Sequence, residues 1–398
     1  MNYLIIGNGV AGTTAAFEIR KTDPSATIRI LTEEPYPFYS RIRLPEFLAS
    51  GVDEQGLVIK KPSWYEENRI VLSLSIRVTA IDPTARKVRT AAGEELSYDR
   101  LLVATGANCF VPPITGSDKR GVFTLRGLED ARKIRDYAKS SAGNVLLIGG
   151  GVLGLEAGYG LMRSGCRITV VEFFPRLLPR QLDEQGAKIL QQKMESMGFT
   201  FHLDARSKEI SGIDAAEELV LEDATRINCD MIIISAGIRH NVELLKNLGA
   251  TIDKGIVVND RMETGIPDIY AAGDLVQHRG ICYGIWPAAE KQGLTAGINM
   301  AGGTAEYKGT VISNILKVAG IDVFSAGDVD ADGKNESIFT ADDKNFGYRK
   351  LVLEDNRIVG AILLGDIRGK RKIMNAIENR IDISSIKQEI AVWDFSSI

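Results

Sequence analysis

Apolar positions along this chain follow one grammar twice and then a different one. Near the start, the unbroken run at residues 3–6 predicts a strand buried on both faces. Residues 11–20 have helical spacing and residues 27–31 read as a second strand. The order returns roughly 140 residues further on: a strand at 144–148, a helix at 154–163 and a strand at 167–171. Strand–helix–strand units of this kind favour parallel sheets covered by helices. From about Gly309 the pattern alternates instead, with strands expected at 350–353 and 358–364 and a helix around 372–379.

Glycine stands at both strand-to-helix turns. The first turn reads Gly7-Asn8-Gly9-Val10-Ala11-Gly12, the second Gly149-Gly150-Gly151-Val152-Leu153-Gly154. Glycines there permit a tight turn, let backbone approach a pyrophosphate and let helix pack close to strand. The bare helix N-terminus then offers N–H groups and a positive dipole end to an anion. Either motif alone is weak, because many such turns simply need small residues. An acid closing the next strand strengthens both: Glu33, with Glu34 beside it, in the first unit and Glu172 in the second. A carboxylate accepts from a free ribose 2′-hydroxyl and repels a 2′-phosphate, so the second unit is expected to prefer NADH to NADPH. The competing reading makes Glu172 a solvated strand end, with Arg176 or Arg180 admitting the phosphate. Leu101-Leu102-Val103-Ala104-Thr105-Gly106 and Ile232-Ile233-Ile234-Ser235-Ala236-Gly237 each end a strand in a small-residue turn, and Asp274 follows Ala271-Ala272-Gly273. An aspartate in that setting is more commonly a helix cap.

Length suggests about two or three domains at ~100–200 residues each. The formal net charge of −4 gives no global attraction for nucleic acid. No apolar run reaches the ~18–20 residues of a membrane span, and the N-terminus reads as a strand with no export signal, so a cytoplasmic location is expected. Cys109, Cys166, Cys229 and Cys282 lie far apart, and the histidines at 202, 240 and 278 supply no cluster, so neither a metal site nor a redox disulfide is expected.

The ordered set of motifs over about residues 1–300 resembles the pyridine nucleotide–disulfide oxidoreductases, flavoproteins with two dinucleotide-binding domains. The resemblance implies an α/β fold of glutathione-reductase type: two Rossmann-like domains, one for FAD and one for NAD, plus a small α+β C-terminal domain. The FAD domain would occupy 1–110 and 230–305, the NAD domain 111–229 and the C-terminal domain 306–398. FAD would meet Gly7, Gly9, Ala11, Gly12, Glu33, Arg41, Ala104, Thr105, Gly106, Gly273, Asp274 and Trp286. NAD(H) would meet Gly149, Gly151, Leu153, Gly154, Glu156, Glu172, Arg180 and Gly237.

Relatives that reduce disulfides carry a Cys-x-x-x-x-Cys, and others of this fold a single cysteine in the region matching residues 38–48. That region here is thiol-free, so electrons would leave from the flavin itself. Within the thiol-free branch, the Arg-Pro-Pro-Leu-Ser-Lys of ferredoxin reductases is replaced by Arg41-Ile42-Arg43-Leu44-Pro45-Glu46. With Trp286-Pro287-Ala288-Ala289-Glu290 and a short C-terminal domain, the chain looks more like NADH:rubredoxin oxidoreductases. A nitrite reductase would need a further siroheme and iron–sulfur portion. The resemblance therefore implies hydride transfer from NADH to FAD and onward passage of electrons to a small acceptor protein such as rubredoxin. No acid–base residue is required at the centre. Glu156 would sit near the nicotinamide, or else be a helix-surface glutamate. Oxygen as acceptor, in an NADH oxidase, or a redox sensor or scaffold with incidental turnover, would carry the same motifs. The basic run Arg368-Gly369-Lys370-Arg371-Lys372 reads as a solvated loop or as a patch steering an acidic partner. The sequence leaves monomer and homodimer equally open.

Overall fold

The computed structural model describes residues 1–397 except positions 142, 319 and 343. The chain divides into two units: Met1–Ser40, Glu54–Asn108 and Ile238–Thr310 form the first, and Arg41–Asp53, Cys109–Gly237 and Val311–Ile398 the second.

The first unit is built on five parallel strands in the order Ile269–Ala271, Arg100–Val103, Asn2–Ile6, Thr27–Leu31, Ile70–Ser73. Its central strand buries Tyr3, Leu4, Ile5 and Ile6. A strand covered on both faces has no polar alternation, which is why an unbroken apolar run marks it. The helices Val10–Thr22 and Trp286–Met300 cross at very short range. A Cβ on Gly293 would stand 2.4 Å from the Ala11 carbonyl oxygen, and one on Gly297 2.6 Å from that of Ala15. Only hydrogen at those two positions lets the backbones meet.

The second unit repeats the plan, with parallel strands in the order Thr200–His202, Arg167–Val171, Asn144–Ile148, Met231–Ile234, Val122–Thr124. Each parallel sheet is accompanied by a three-stranded antiparallel meander, Val78–Asp82 to Glu95–Ser97 in the first unit and Ser207–Ser211 to Arg226–Asn228 in the second. The hydrophobic pattern gives no warning of these meanders, because strands such as Val78–Asp82 leave most positions exposed. The second unit also holds a five-stranded antiparallel sheet in the order Ser313–Val318, Ile321–Gly327, Arg357–Leu364, Gly347–Glu354, Glu336–Asp342. One face of that sheet packs Phe324, Leu351 and Leu363 against Ile373, Ile377 and Ile390 of the helices Lys370–Glu378 and Lys387–Ala391.

The basic run spans the entry to the first of these helices, whose N-cap is Gly369 at φ 86°. Two of its cations are engaged within the domain: Arg368 pairs with Asp366 at 2.6 Å, and Lys372 Nζ donates to the Phe395 carbonyl at 2.6 Å.

Leu351 is fully buried in the C-terminal core. Leu351→Ala is expected to cost about 2–5 kcal/mol from lost transfer energy and the residual cavity, measured as a fall in urea unfolding stability.

Candidate functional site

The first glycine loop owes its shape to a collision avoided. Gly7 ends the strand Asn2–Ile6 at φ +116°, and a Cβ on it would lie 2.1 Å from the Ala104 carbonyl oxygen at the end of the neighbouring strand. A Cβ on Gly12 would lie 2.0 Å from the Gly7 carbonyl oxygen. Gly9 is different: nothing stands within 4 Å of where its Cβ would be. It is the N-cap of the helix Val10–Thr22, has no side-chain cap hydrogen bond, and is followed by no acid in the first turn. Bare N–H donors, a positive dipole end and open space at Gly9 fit a pyrophosphate.

The other residues expected around this cradle come from the ends of adjacent strands. Glu33 is exposed just beyond Thr27–Leu31, while Glu34 accepts from the Tyr39 hydroxyl at 2.7 Å. Thr105 and Gly106 follow Ala104 and are held by Asn241, whose Nδ2 donates to the Thr105 carbonyl at 2.9 Å and whose N–H donates to that of Gly106 at 3.0 Å. Ala11 is buried and lies 3.2 Å from where a Gly273 Cβ would be. The Gly273 N–H donates to Oε1 of buried Gln292 at 2.8 Å, and the carbonyl of half-buried Asp274 meets His240 Nδ1. Trp286 opens the helix Trp286–Met300, half-buried, with its ring centroid 5.6 Å from that of Phe38. Arg41 belongs to the second unit, where its guanidinium donates to the Arg126 carbonyl at 2.9 Å. Tyr65 is a residue the sequence does not announce. Its buried hydroxyl donates to Asn8 Oδ1 at 3.0 Å and accepts from the Phe38 N–H at 3.1 Å, tying the glycine loop to the Phe38–Trp286 pair.

The second loop reproduces the first. Gly149 sits at φ +112° with its missing Cβ 2.4 Å from the Ser235 carbonyl oxygen, and that of Gly154 is 2.9 Å from the Gly149 carbonyl oxygen. Gly151 caps the helix Val152–Arg163 with no side-chain hydrogen bond and no acid in the first turn, so this end also fits a phosphate. Leu153 is half-buried in that first turn, Gly237 is exposed at φ +114°, and Arg180 is exposed. The acids of the two units differ. Glu172 is 6% exposed, and its oxygens accept the N–H groups of Gly150 and, at 2.8 Å, Phe174. It is no solvated strand end: it clamps the loop that follows it onto the glycine turn. Gly150 is glycine for that reason, since its Cβ would lie 3.1 Å from Glu172 Oε2 and 2.9 Å from Leu177.

Glu156 is not a surface glutamate. It is half-buried on the helix Val152–Arg163, and burial pushes its carboxyl up to about 7, with a backbone hydrogen bond at Lys317 opposing and the negative charge of Glu46 adding to the rise. Glu46 itself is exposed and pairs with Arg43 at 2.8 Å. None of the four cysteines forms a disulfide among the described residues: Cys166 and Cys229 are buried, Cys109 and Cys282 partly so, and burial raises all four thiols. Among the described residues no group of three or more His, Cys, Asp or Glu is placed to hold a metal, and no helix is long and apolar enough to cross a membrane.

The profile of the pyridine nucleotide-disulphide oxidoreductases matches residues 1–293, and that of the rubredoxin NAD+ reductase C-terminal domain matches residues 313–381. The chain is 38% identical to a nitrite reductase [NAD(P)H] of Bacillus subtilis, over 96% of its own length but 48% of that protein. It is thus about half as long as that relative. It is 33% identical to an NADH-rubredoxin oxidoreductase of Clostridium acetobutylicum, over 98% of this chain and 97% of the relative. The crystal structure of NADH:rubredoxin oxidoreductase from that organism matches with a TM-score of 0.81 at 30% identity, covering 98% of each chain.

Two variants probe these sites. Gly12→Val must push a side chain into the Gly7 carbonyl, and the purified protein is expected to carry no yellow cofactor while the second unit keeps its fold, read by absorbance and circular dichroism. For Glu156 the folded carboxyl keeps its proton up to about pH 7, whereas the unfolded one releases it near 4.5. Stability is therefore expected to fall as pH rises between those values and to level off above them, by about 2–3 kcal/mol. Glu156→Gln should lack that fall, measured by urea unfolding at pH 5 and pH 8.

Proposed function

The chain belongs to the pyridine nucleotide-disulphide oxidoreductase family, and on that footing we propose that it is an NADH-dependent flavoprotein reductase that delivers electrons to a small acceptor protein. FAD lies in the first unit and NADH in the second. The observation that carries this reading is the doubled cradle: two uncapped helix N-termini behind glycine loops of the same backbone geometry, each followed by an acid. Two such sites in one chain serve two dinucleotides, and a bound flavin supplies the conversion of a two-electron hydride into single electrons.

The chain's own residues bind and orient. The N–H groups after Gly9 and Gly151 take the pyrophosphates, Glu33 takes the adenosine ribose of FAD, and Asp274, held from its carbonyl by His240, serves the ribityl chain. Asn241 locks the Thr105–Gly106 turn against which the cofactor rests. Glu172 accepts the 2′-hydroxyl of the adenosine ribose of NADH with its remaining lone pairs. A buried carboxylate beside the glycine loop disfavours a second phosphate there, so NADH is preferred. Glu156, whose carboxyl is pushed up to about 7 by burial, holds its proton well above the usual carboxylate range and in that form offers a hydrogen-bond donor on the helix after the loop. The thiols play no part: the segment at residues 38–48 holds none, and raised thiol values leave the others protonated and inert. The likeness of residues 313–381 to the rubredoxin NAD+ reductase C-terminal domain supports a rubredoxin-type acceptor.

Anaerobic stopped-flow tests this. NADH is expected to bleach the flavin band at least about tenfold faster than NADPH, a difference of ~1.4 kcal/mol, and oxidised rubredoxin to restore it faster than air does. Restoration by oxygen alone would make the protein an oxidase, and no bleaching with either nucleotide would end the reductase reading.

A further inference from the structure

A buried ionic cluster joins the C-terminal antiparallel sheet to the second dinucleotide module. Lys350 and Tyr348 lie on the strand Gly347–Glu354, on the face opposite its helical core. Lys350 is 5% exposed, Asp183 8% and Asp330 5%. Lys350 Nζ lies 3.1 Å from Asp183 Oδ2 and 3.5 Å from Asp330 Oδ2, and it also donates to the carbonyls of Val329 and Asp330 at 3.3 and 3.2 Å. The Tyr348 hydroxyl donates to Asp183 Oδ2 at 2.7 Å. Burial and the neighbouring Asp183 carboxylate hold that phenol proton firmly, so the bond persists at any working pH.

Asp183 is the last residue of the loop that begins at Glu172. Its other oxygen, Oδ1, caps the helix Glu184–Ser196 by accepting from the Gly186 N–H at 3.0 Å. From Asp183 the contacts run back to the glycine turn. The Leu182 N–H donates to the Leu178 carbonyl at 2.9 Å, and the Leu178 N–H donates to the Gly150 carbonyl at 3.2 Å. Leu178 holds φ +48°, a left-handed conformation that costs a leucine energy and persists only where surroundings enforce it. In the middle of the loop, Pro175 and Arg176 border a cleft of about 350 Å³ against the helix Glu184–Ser196. Beyond that cleft, Leu177, Leu178 and Leu182 are fully buried, so the half of the loop that leads to Asp183 is the half pinned to the module.

We propose that Tyr348 and Lys350 are positioning residues of the second dinucleotide site: through Asp183, the C-terminal sheet holds the 172–183 loop on the Gly150 turn. The inference rests on the reading of that module as the NADH site. The C-terminal sheet then has a task inside this chain, apart from any acceptor.

The test uses Tyr348→Phe, which keeps the ring and removes one hydrogen bond, and Asp183→Asn, which keeps the helix cap and removes the charge. Lys350→Met is avoided as the main probe, because two buried carboxylates without their cation threaten the fold. Three readouts are taken on the purified full chain: tryptic cleavage after Arg176 and Arg180 without nucleotide, calorimetric affinity for NAD+, and KM against kcat with NADH. Both variants are expected to be cleaved several-fold faster and to bind NAD+ five- to twentyfold more weakly (about 1–2 kcal/mol). KM should rise in proportion while kcat at saturation stays near wild type. A lower melting temperature with unchanged cleavage and unchanged affinity would mean a structural cluster only and would overturn the proposal. A wild-type protein that binds no NAD+ would instead overturn the reading of the module itself, and the positioning role with it.

Discussion

Each dinucleotide module turns on a close approach of backbones, where the glycine after the first strand passes the carbonyl of the neighbouring strand. At Gly7 and Gly149 a β-carbon would fall 2.1 and 2.4 Å from that oxygen, with φ at +116° and +112°. An L-residue there would meet both a steric wall and an unfavourable backbone region. Everything nearby depends on that passage. It turns the chain sharply enough for the next helix to begin at once, with its N-terminus uncapped at the carboxyl edge of the sheet. It also brings the following strand's end, Ala104 or Ser235, against the mouth of the loop.

The same architecture is used twice and finished differently. In the first unit the acid just beyond the second strand, Glu33, is left in solvent, and the loop is steadied from outside by Tyr65 through Asn8. In the second unit the acid is itself the brace. Glu172 is buried and bonded to the backbone on both sides of itself in the fold, which makes any substitution there a change of shape as well as of charge. Burying a carboxylate is tolerable because two N–H groups replace its water.

The parallel core was legible because its strands are apolar on both faces, so Val145, Leu146, Leu147 and Ile148 show as an unbroken run in the sequence and as full burial in the fold. Both helices after the glycine loops begin slightly earlier than their apolar spacing suggests, since Val10 and Val152 are already helical behind a glycine cap. What sequence reasoning could not reach were bonds between distant positions. Gln292 holding Gly273, Asn241 holding Thr105 and Lys350 holding Asp183 are ordinary polar residues until the chain is folded. The antiparallel meanders were hidden for the opposite reason: their strands are too short and too exposed to leave a period. Glu156 stood open between a surface and an interior role, and only its helix face decides that it is half-buried.

The first unit's sheet carries a history as well as a shape. Its strand Arg100–Val103 lies between Asn2–Ile6 and Ile269–Ala271, yet the last of these is made only after the whole intervening module. At ribosomal speeds of about 5–20 residues per second, the gap lasts on the order of ten seconds to half a minute. Throughout that time Leu101, Leu102 and Val103 present an open, apolar sheet edge, the kind that pairs readily with other chains. The helix that covers Ala11 and Ala15 arrives later still. Splitting a domain around an insert thus makes the newborn chain dependent on protection of a three-residue edge, a vulnerability that the finished molecule no longer displays.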